Sequence, residues 1–231
     1  MAYLLTSSNH DPWDLPQKYR TLKLGSMEGT MLGNYLQSVH YFDEAFGALI
    51  DGLRSAELLE KSVVVIYGDH QACLEKSTDF NKIMGFPENS EYQNVIVRKK
   101  IPLMIRLPNK QSAGIRKTTG GHLDISPTLL ALMGISEQNK VMFGNDLTRG
   151  KDSFVVFRDG SFVDGKHFLL NRFGSISNST CYDVRSGRAI DCKALEADRR
   201  RAREELEASD SIIRGDLIPE LLSTNNVAER Q

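Results

Sequence analysis

Val63-Val64-Val65-Ile66-Tyr67 is an unbroken apolar run that stops at Gly68-Asp69-His70. A run without polar alternation has no side to give to water, so it reads as a strand buried on both faces. Residues 101–107 form a second such run, with Pro102 near its start, where a missing N–H is tolerated. Leu32, Leu36, Val39, Phe42, Phe46, Leu49, Ile50 and Leu53 recur at i, i+3, i+4 spacing and predict a helix over residues 31–54. Residues 3–8 read as a further strand, ending in a polar loop that Pro12 and Pro16 keep from becoming helical. Residues 71–100 show no strong period. Residues 124–135 read as a capped helix, with Ser126 as N-cap, Pro127 at the first helical position and Gly134 beyond the end. This order of elements predicts an α/β fold: a sheet with a parallel core and helices on both faces.

From Phe154 the texture changes to short strands separated by Gly and Asn turns, at residues 154–158 and 165–170 and around Cys181 and Cys192. These predict a small antiparallel sheet, followed by a charged C-terminal helix over residues 195–208. The expected organisation is a domain over 1–150, a small α+β subdomain over 151–222 and a disordered tail over 223–231. If Ser186-Gly187 is a two-residue turn, Cys181 falls opposite Cys192. A bridge there would indicate an oxidising compartment, while the other reading is two buried thiols.

The formal net charge is −1, from 29 basic and 30 acidic residues, so bulk electrostatics give no reason to expect a nucleic-acid partner. Arg199 to Arg203 alternate with Glu196, Glu204, Glu205 and Glu207, the pattern of a solvated helix face. No stretch approaches the roughly 20 apolar residues of a membrane-spanning helix. Residues 1–6 lack the pattern of a secretion signal and read as a strand already under way.

In open α/β sheets ligands gather at the carboxyl ends of strands, where His10, Asp69 and His70 all fall. Carboxylate and imidazole together suit a divalent ion, and two ionisable groups directly after an apolar strand must face a cleft or be paired. Taken alone, His10 also reads as a loop histidine bonded to its own backbone. Trp13 reads equally as a core anchor or as a wall for a substrate. His122 follows Gly120-Gly121, which would let backbone approach a ligand or serve only as a turn, and Asp124 reads as part of the next helix terminus. His40 reads as a packing or solvent-facing helix residue, and His167 has no evident partner.

Four segments, at residues 8–13, 35–45, 65–70 and 124–130, together resemble the lipoteichoic acid synthase-like phosphoglycerol transferases, grouped with sulfatases in the alkaline phosphatase superfamily. The resemblance runs from about Tyr3 to Arg158 and extends to the small C-terminal subdomain. It implies a partial alkaline-phosphatase-like sheet and a divalent metal, typically Mn²⁺ with Mg²⁺, Ca²⁺ or Zn²⁺ as alternatives. Asp69 and His70 match two of its ligands; a glutamate and a nucleophilic threonine complete the family's site. His10 matches the histidine that contacts the phosphoryl group, as a hydrogen-bond donor or acid. Trp13 and His122 are the candidate substrate-binding residues.

In this family threonine attacks phosphorus, expels diacylglycerol and passes phosphoglycerol to an acceptor. The implied setting is the extracytoplasmic face of a bacterial membrane. Thr6, Thr21 and Thr30 do not match the nucleophile, so the catalytic nucleophile is expected outside this sequence and the chain alone is expected to be nearly inactive. The competing readings are a sulfatase acting on sulfate esters and a binding fragment that kept the fold without the chemistry. An exposed sheet edge would favour self-association.

Overall fold

Thr30 opens the longest helix, α1 (Met31–Ser55), by accepting the Gly33 N–H at 3.0 Å, and the apolar period of residues 31–54 continues without a break to its end. Gly33 is required there for space: a Cβ would lie 1.9 Å from the Met27 carbonyl oxygen. In this computed structural model residues 1–75, 77–87, 90–108, 112–137, 140–172 and 174–228 are described, and contacts divide the chain into two compact units, Met1–Gly114 and Ile115–Gln231.

In the first unit, β1 (Val64–Tyr67) pairs with β2 (Leu103–Arg106). The pair is antiparallel, Tyr67 opposite Leu103 and Val64 opposite Arg106, which corrects the parallel core expected from element order. An apolar run carries no mark of strand direction; the connection decides it. Residues 68–102 leave and return at the same end, where Gly68 N–H donates to Pro102 O at 3.1 Å. Neither strand is fully buried, and Met104 is 52% exposed. Residues 3–6 form no strand, although Tyr3 Oη lies 3.0 Å from Tyr67 Oη.

The unpatterned excursion contains a two-turn helix, α2 (Thr78–Met84), capped by Ser77, whose Oγ accepts the Phe80 N–H at 3.1 Å. It ends at Gly85 with φ +66°, a left-handed stop that suits glycine. Two turns are too short to generate a visible period. Phe80 and Leu74 bury themselves beside Trp13, with Leu32, Tyr35 and Phe86 packed around them.

In the second unit, a 3₁₀ turn (His122–Asp124) runs into α3 (Ile125–Leu132). Ser126 lies inside that helix rather than at its N-cap, because the 3₁₀ turn moves the start upstream and Asp124 takes the cap position. Gly134 has φ +67° just beyond the C-terminus, as expected. The small sheet is an antiparallel meander of five strands in sequence order: β3 (Val155–Val156), β4 (Phe162–Val163), β5 (His167–Arg172), β6 (Ser175–Asp183) and β7 (Ala189–Ile190).

Cys181 is bonded to Cys192, with Cα atoms 5.3 Å apart. The register differs from the expected one. Cys181 faces Ile190, so the turn has four residues and Cys192 lies past the strand, in a 3₁₀ turn (Cys192–Leu195). The longer turn is held by Asp183, whose Oδ1 accepts from Ser186 N at 2.7 Å and Oγ at 2.6 Å. Helix α4 (Glu196–Gly215) then lays Ala202 onto a core of Phe162, Leu169, Cys181 and Leu195.

Segment 115–150 lies in the same compact unit as the small sheet. Ser153 N–H donates to Thr119 O at 2.9 Å, and a Cβ on Gly121 would meet Val155 at 2.8 Å. Helix α5 (Ile218–Ala228) occupies most of the expected tail; residues 229–231 lie outside the described residues.

Candidate active site

Three of the residues singled out from sequence come together in the first unit. Asp69 and His70 follow β1 directly, where Gly68 lets Ile101 and Pro102 pack within 3.2–3.4 Å of the space a Cβ would need. Asp69 Oδ1 accepts the His70 N–H at 2.9 Å, which curls the chain and turns both side chains to one side. His70 Nδ1 lies 2.8 Å from Gln71 O, and His10 Nδ1 lies 2.7 Å from Asp11 O. A carbonyl can only accept, so both Nδ1 atoms carry the hydrogen and both Nε2 atoms face away from their own backbone. The two rings meet edge to face with centroids 6.4 Å apart.

The loop that carries His10 is held from below by α1. Ser38, fully buried, sets its Oγ 2.5 Å from Ser8 O and 3.0 Å from Asn9 Oδ1. Gln37, also buried, brackets Leu22 by accepting its N–H at 3.1 Å and donating to its carbonyl at 2.7 Å. Trp13 is 3% exposed, donates Nε1–H to Asn9 O at 2.9 Å and meets Tyr35 edge-on at 5.4 Å. The buried indole therefore anchors the His10 loop. Sequence reasoning singled out neither Gln37 nor Ser38, and their role could not be read without the loop they hold.

Asp69 Oδ1 and His70 Nε2 are 3.9 Å apart. Two donors about 2.1 Å from one tetrahedral ion lie about 3.4 Å from each other, so a small rotation brings this pair onto a shared divalent cation. The chemistry of these two donors fits such an ion. No group of three or more His, Cys, Asp or Glu able to hold an ion occurs among the described residues. Of the threonines, Thr30 caps α1. Cys73, two residues beyond Gln71, is an exposed free thiol.

His122 lies in the second unit, exposed at the start of the 3₁₀ turn. Its neighbour Asp124 is buried, with Oδ2 accepting from Gly121 N and Oδ1 from Asn145 N, each at 2.7 Å. Asp124 therefore staples two loops. His40 faces Glu44 at 3.4 Å along α1, and His167 pairs with Asp164 at 3.0 Å. No described helix is long and apolar enough to cross a membrane.

Comparison with known proteins gives these positions a context. Over 221 residues, 94% of the chain, it is 36% identical to lipoteichoic acid synthase 1 of Bacillus subtilis (strain 168), and over 218 residues it is 30% identical to lipoteichoic acid synthase of Staphylococcus aureus (strain USA300). The chain spans about one third of the length of these relatives, 33% and 32%. Among solved structures it resembles the lipoteichoic acid synthase LtaP of Listeria monocytogenes, with a TM-score of 0.75 at 27% identity, covering 90% of this chain and 52% of that one. Residues 1–135, which include the whole His10, Asp69 and His70 cluster, match the sulfatase family model, and the chain belongs to the sulfatase family.

Proposed function

We propose that this chain forms the C-terminal part of a metal-dependent phosphoglycerol transferase acting in cell-envelope polymer synthesis. The observation that carries this reading is the edge-to-face meeting of His10 with His70, whose Nε2 lies 3.9 Å from Asp69 Oδ1. Asp69 and His70 hold a divalent ion, Mn²⁺ in the first instance, with Mg²⁺, Ca²⁺ or Zn²⁺ as alternatives. A glutamate and the nucleophilic threonine from outside residues 1–231 complete the site. When bound, such an ion neutralises charge on phosphoryl oxygens and acidifies a hydroxyl nucleophile.

His10 contacts the phosphoryl group. Because its Nδ1–H is committed to Asp11 O, Nε2 donates to an oxygen only from the imidazolium and otherwise accepts a proton. Exposed His122 is assigned to substrate binding. The Cys181–Cys192 disulfide supports a place on the extracytoplasmic face of a membrane, since such bonds persist in oxidising compartments. Relatives named for lipoteichoic acid synthesis favour phosphoglycerol over the sulfate esters of the sulfatase reading.

The test is calorimetric titration of the chain with MnCl₂ beside an Asp69→Ala, His70→Ala double variant. The expected result is weak binding, poorer than micromolar, that vanishes in the variant. Heat that survives the double substitution would remove the metal assignment, and tight binding would show a site complete within this chain. In Mg²⁺, sn-glycerol 3-phosphate should move the His10 imidazole NMR signals more than methyl sulfate does. The reverse order selects the sulfatase reading, and no response to either selects a binding fragment without chemistry at this site.

A further inference from the structure

The loop that carries His10 and the segment that follows His70 meet in one hydrophobic cluster of the first unit. Trp13, the anchor of the His10 loop, packs with Leu74 and Phe80, and Ala72 lies against them. Ala72 and Leu74 follow His70 closely in the chain, and His70 Nδ1 is tied to Gln71 O at 2.8 Å. Packed interiors transmit displacements through their contacts. A movement of Leu74 away from Trp13 therefore changes the position of His70 relative to His10.

Arg98 grips this cluster at two points. It lies in a 3₁₀ turn (Val97–Lys99) that directly follows a π-helical turn (Tyr92–Ile96), late in the unpatterned excursion. Its guanidinium carbon stands 4.6 Å from the centre of the Phe80 ring, within cation–π range, and its Nη2 donates to the Leu74 carbonyl oxygen. A planar guanidinium can do both at once, its face on a ring and an N–H in its edge on an oxygen. One side chain thereby joins α2, through Phe80, to the chain just past His70, through Leu74. Burial pushes the guanidinium pKa below its ordinary value, with the Cys73 thiol acting in the opposite direction. The charge is drawn partly out of water, where such contacts are stronger than at an open surface.

We propose that Arg98 is a positioning residue for the candidate active site: by holding Leu74 and Phe80 together beside Trp13, it sets the approach of His70 to His10. It acts through the cluster and touches neither histidine. The geometric claim is read from these contacts alone. Only its consequence for phosphoryl transfer rests on the function proposed above.

The test reads ring-to-ring NOE cross-peaks between His10 and His70 in the isotope-labelled chain without added metal. Wild type should show them. Arg98→Met keeps the apolar stem but loses charge and donors; it should lose the cross-peaks and shift the Trp13 indole N–H signal. Arg98→Lys, which keeps a charge and a donor, should restore them. Arg106→Met is the control for general destabilisation: Arg106 also donates to a carbonyl, Leu59 O at 2.7 Å, and pairs with Glu60, but it lies outside the Trp13 cluster. That variant should keep the cross-peaks whatever it costs in stability. Cross-peaks absent from wild type, surviving in Arg98→Met, lost equally in Arg106→Met or not restored by Arg98→Lys would each overturn the proposal. The MnCl₂ titration decides the function separately: no metal response in wild type would remove that reading and leave the role of Arg98 to stand on the ring contacts.

Discussion

Single carboxylates do several structural jobs in this chain, and each exposes a measurable dependence. Asp124 satisfies two backbone N–H groups, those of Gly121 and Asn145, from a buried position. Asp124→Ala leaves both unpaired, and at about 1–3 kcal/mol for each buried orphan group the variant should lose about 3 kcal/mol or more, read from its urea midpoint. Asp164 is partly buried. Partial burial raises its pKa, but the backbone N–H groups of His167 and Lys166 and the His167 ring outweigh that and hold it below the usual carboxylate value.

A carboxyl depressed in the folded state contributes stability that is present above its unfolded pKa of about 3.9 and is lost as pH falls through the folded value. Thermal melts of Asp164→Asn should therefore lie below wild type at pH 6 and converge with it as the pH drops below 4. Parallel curves across that range would show that the pairing contributes nothing to folding.

Among the elements, the β6–β7 hairpin with its bridge to the α4 entrance is the one most dependent on a single bond. The disulfide closes a separation of 11 residues, and loop-closure arithmetic gives a stabilisation of about 3 kcal/mol. Because Cys181 and Cys192 sit in the core formed with Leu195 and Ala202, reduction should also loosen α4 on the sheet. We expect dithiothreitol, or a Cys181→Ala, Cys192→Ala double variant, to lower the melting temperature by more than 5 °C and to speed amide exchange in residues 196–206. An unchanged melt would mean that packing alone holds the hairpin. Disulfide pairing was open to the sequence, but through a wrong register: a two-residue turn was assumed where Asp183 builds one of four.

For the whole molecule the decisive feature is the apolar surface of the first unit. Leu4 and Leu5 are exposed, as are Val39 and Leu49 on α1, and Met104 stands out from β2. The β1–β2 ladder has no third strand among the described residues. Unpaired strand edges and contiguous apolar patches favour association. Sedimentation velocity should show the weight-average mass rising with concentration above the 25.9 kDa monomer, with Met104→Glu shifting the rise to higher concentration. A concentration-independent monomer would contradict this.

Several features were determined by the sequence itself because their causes are local. The period of residues 31–54 specified α1, the Gly-Asp-His stop placed two candidate ligands at a strand end, and spaced turn residues announced the small sheet. Other features were decided only in three dimensions, because they depend on partners distant in the chain. Strand direction came from the return of residues 68–102, and the fate of Trp13 from Leu74 and Phe80 more than 60 residues away. The meeting of His10 with His70 is of the same kind. Each histidine is legible alone, but their edge-to-face contact exists because Ser38 and Trp13 hold one loop against α1 while Gly68 ends a strand beside it. Side-chain chemistry is written residue by residue, whereas convergence is a property of packing.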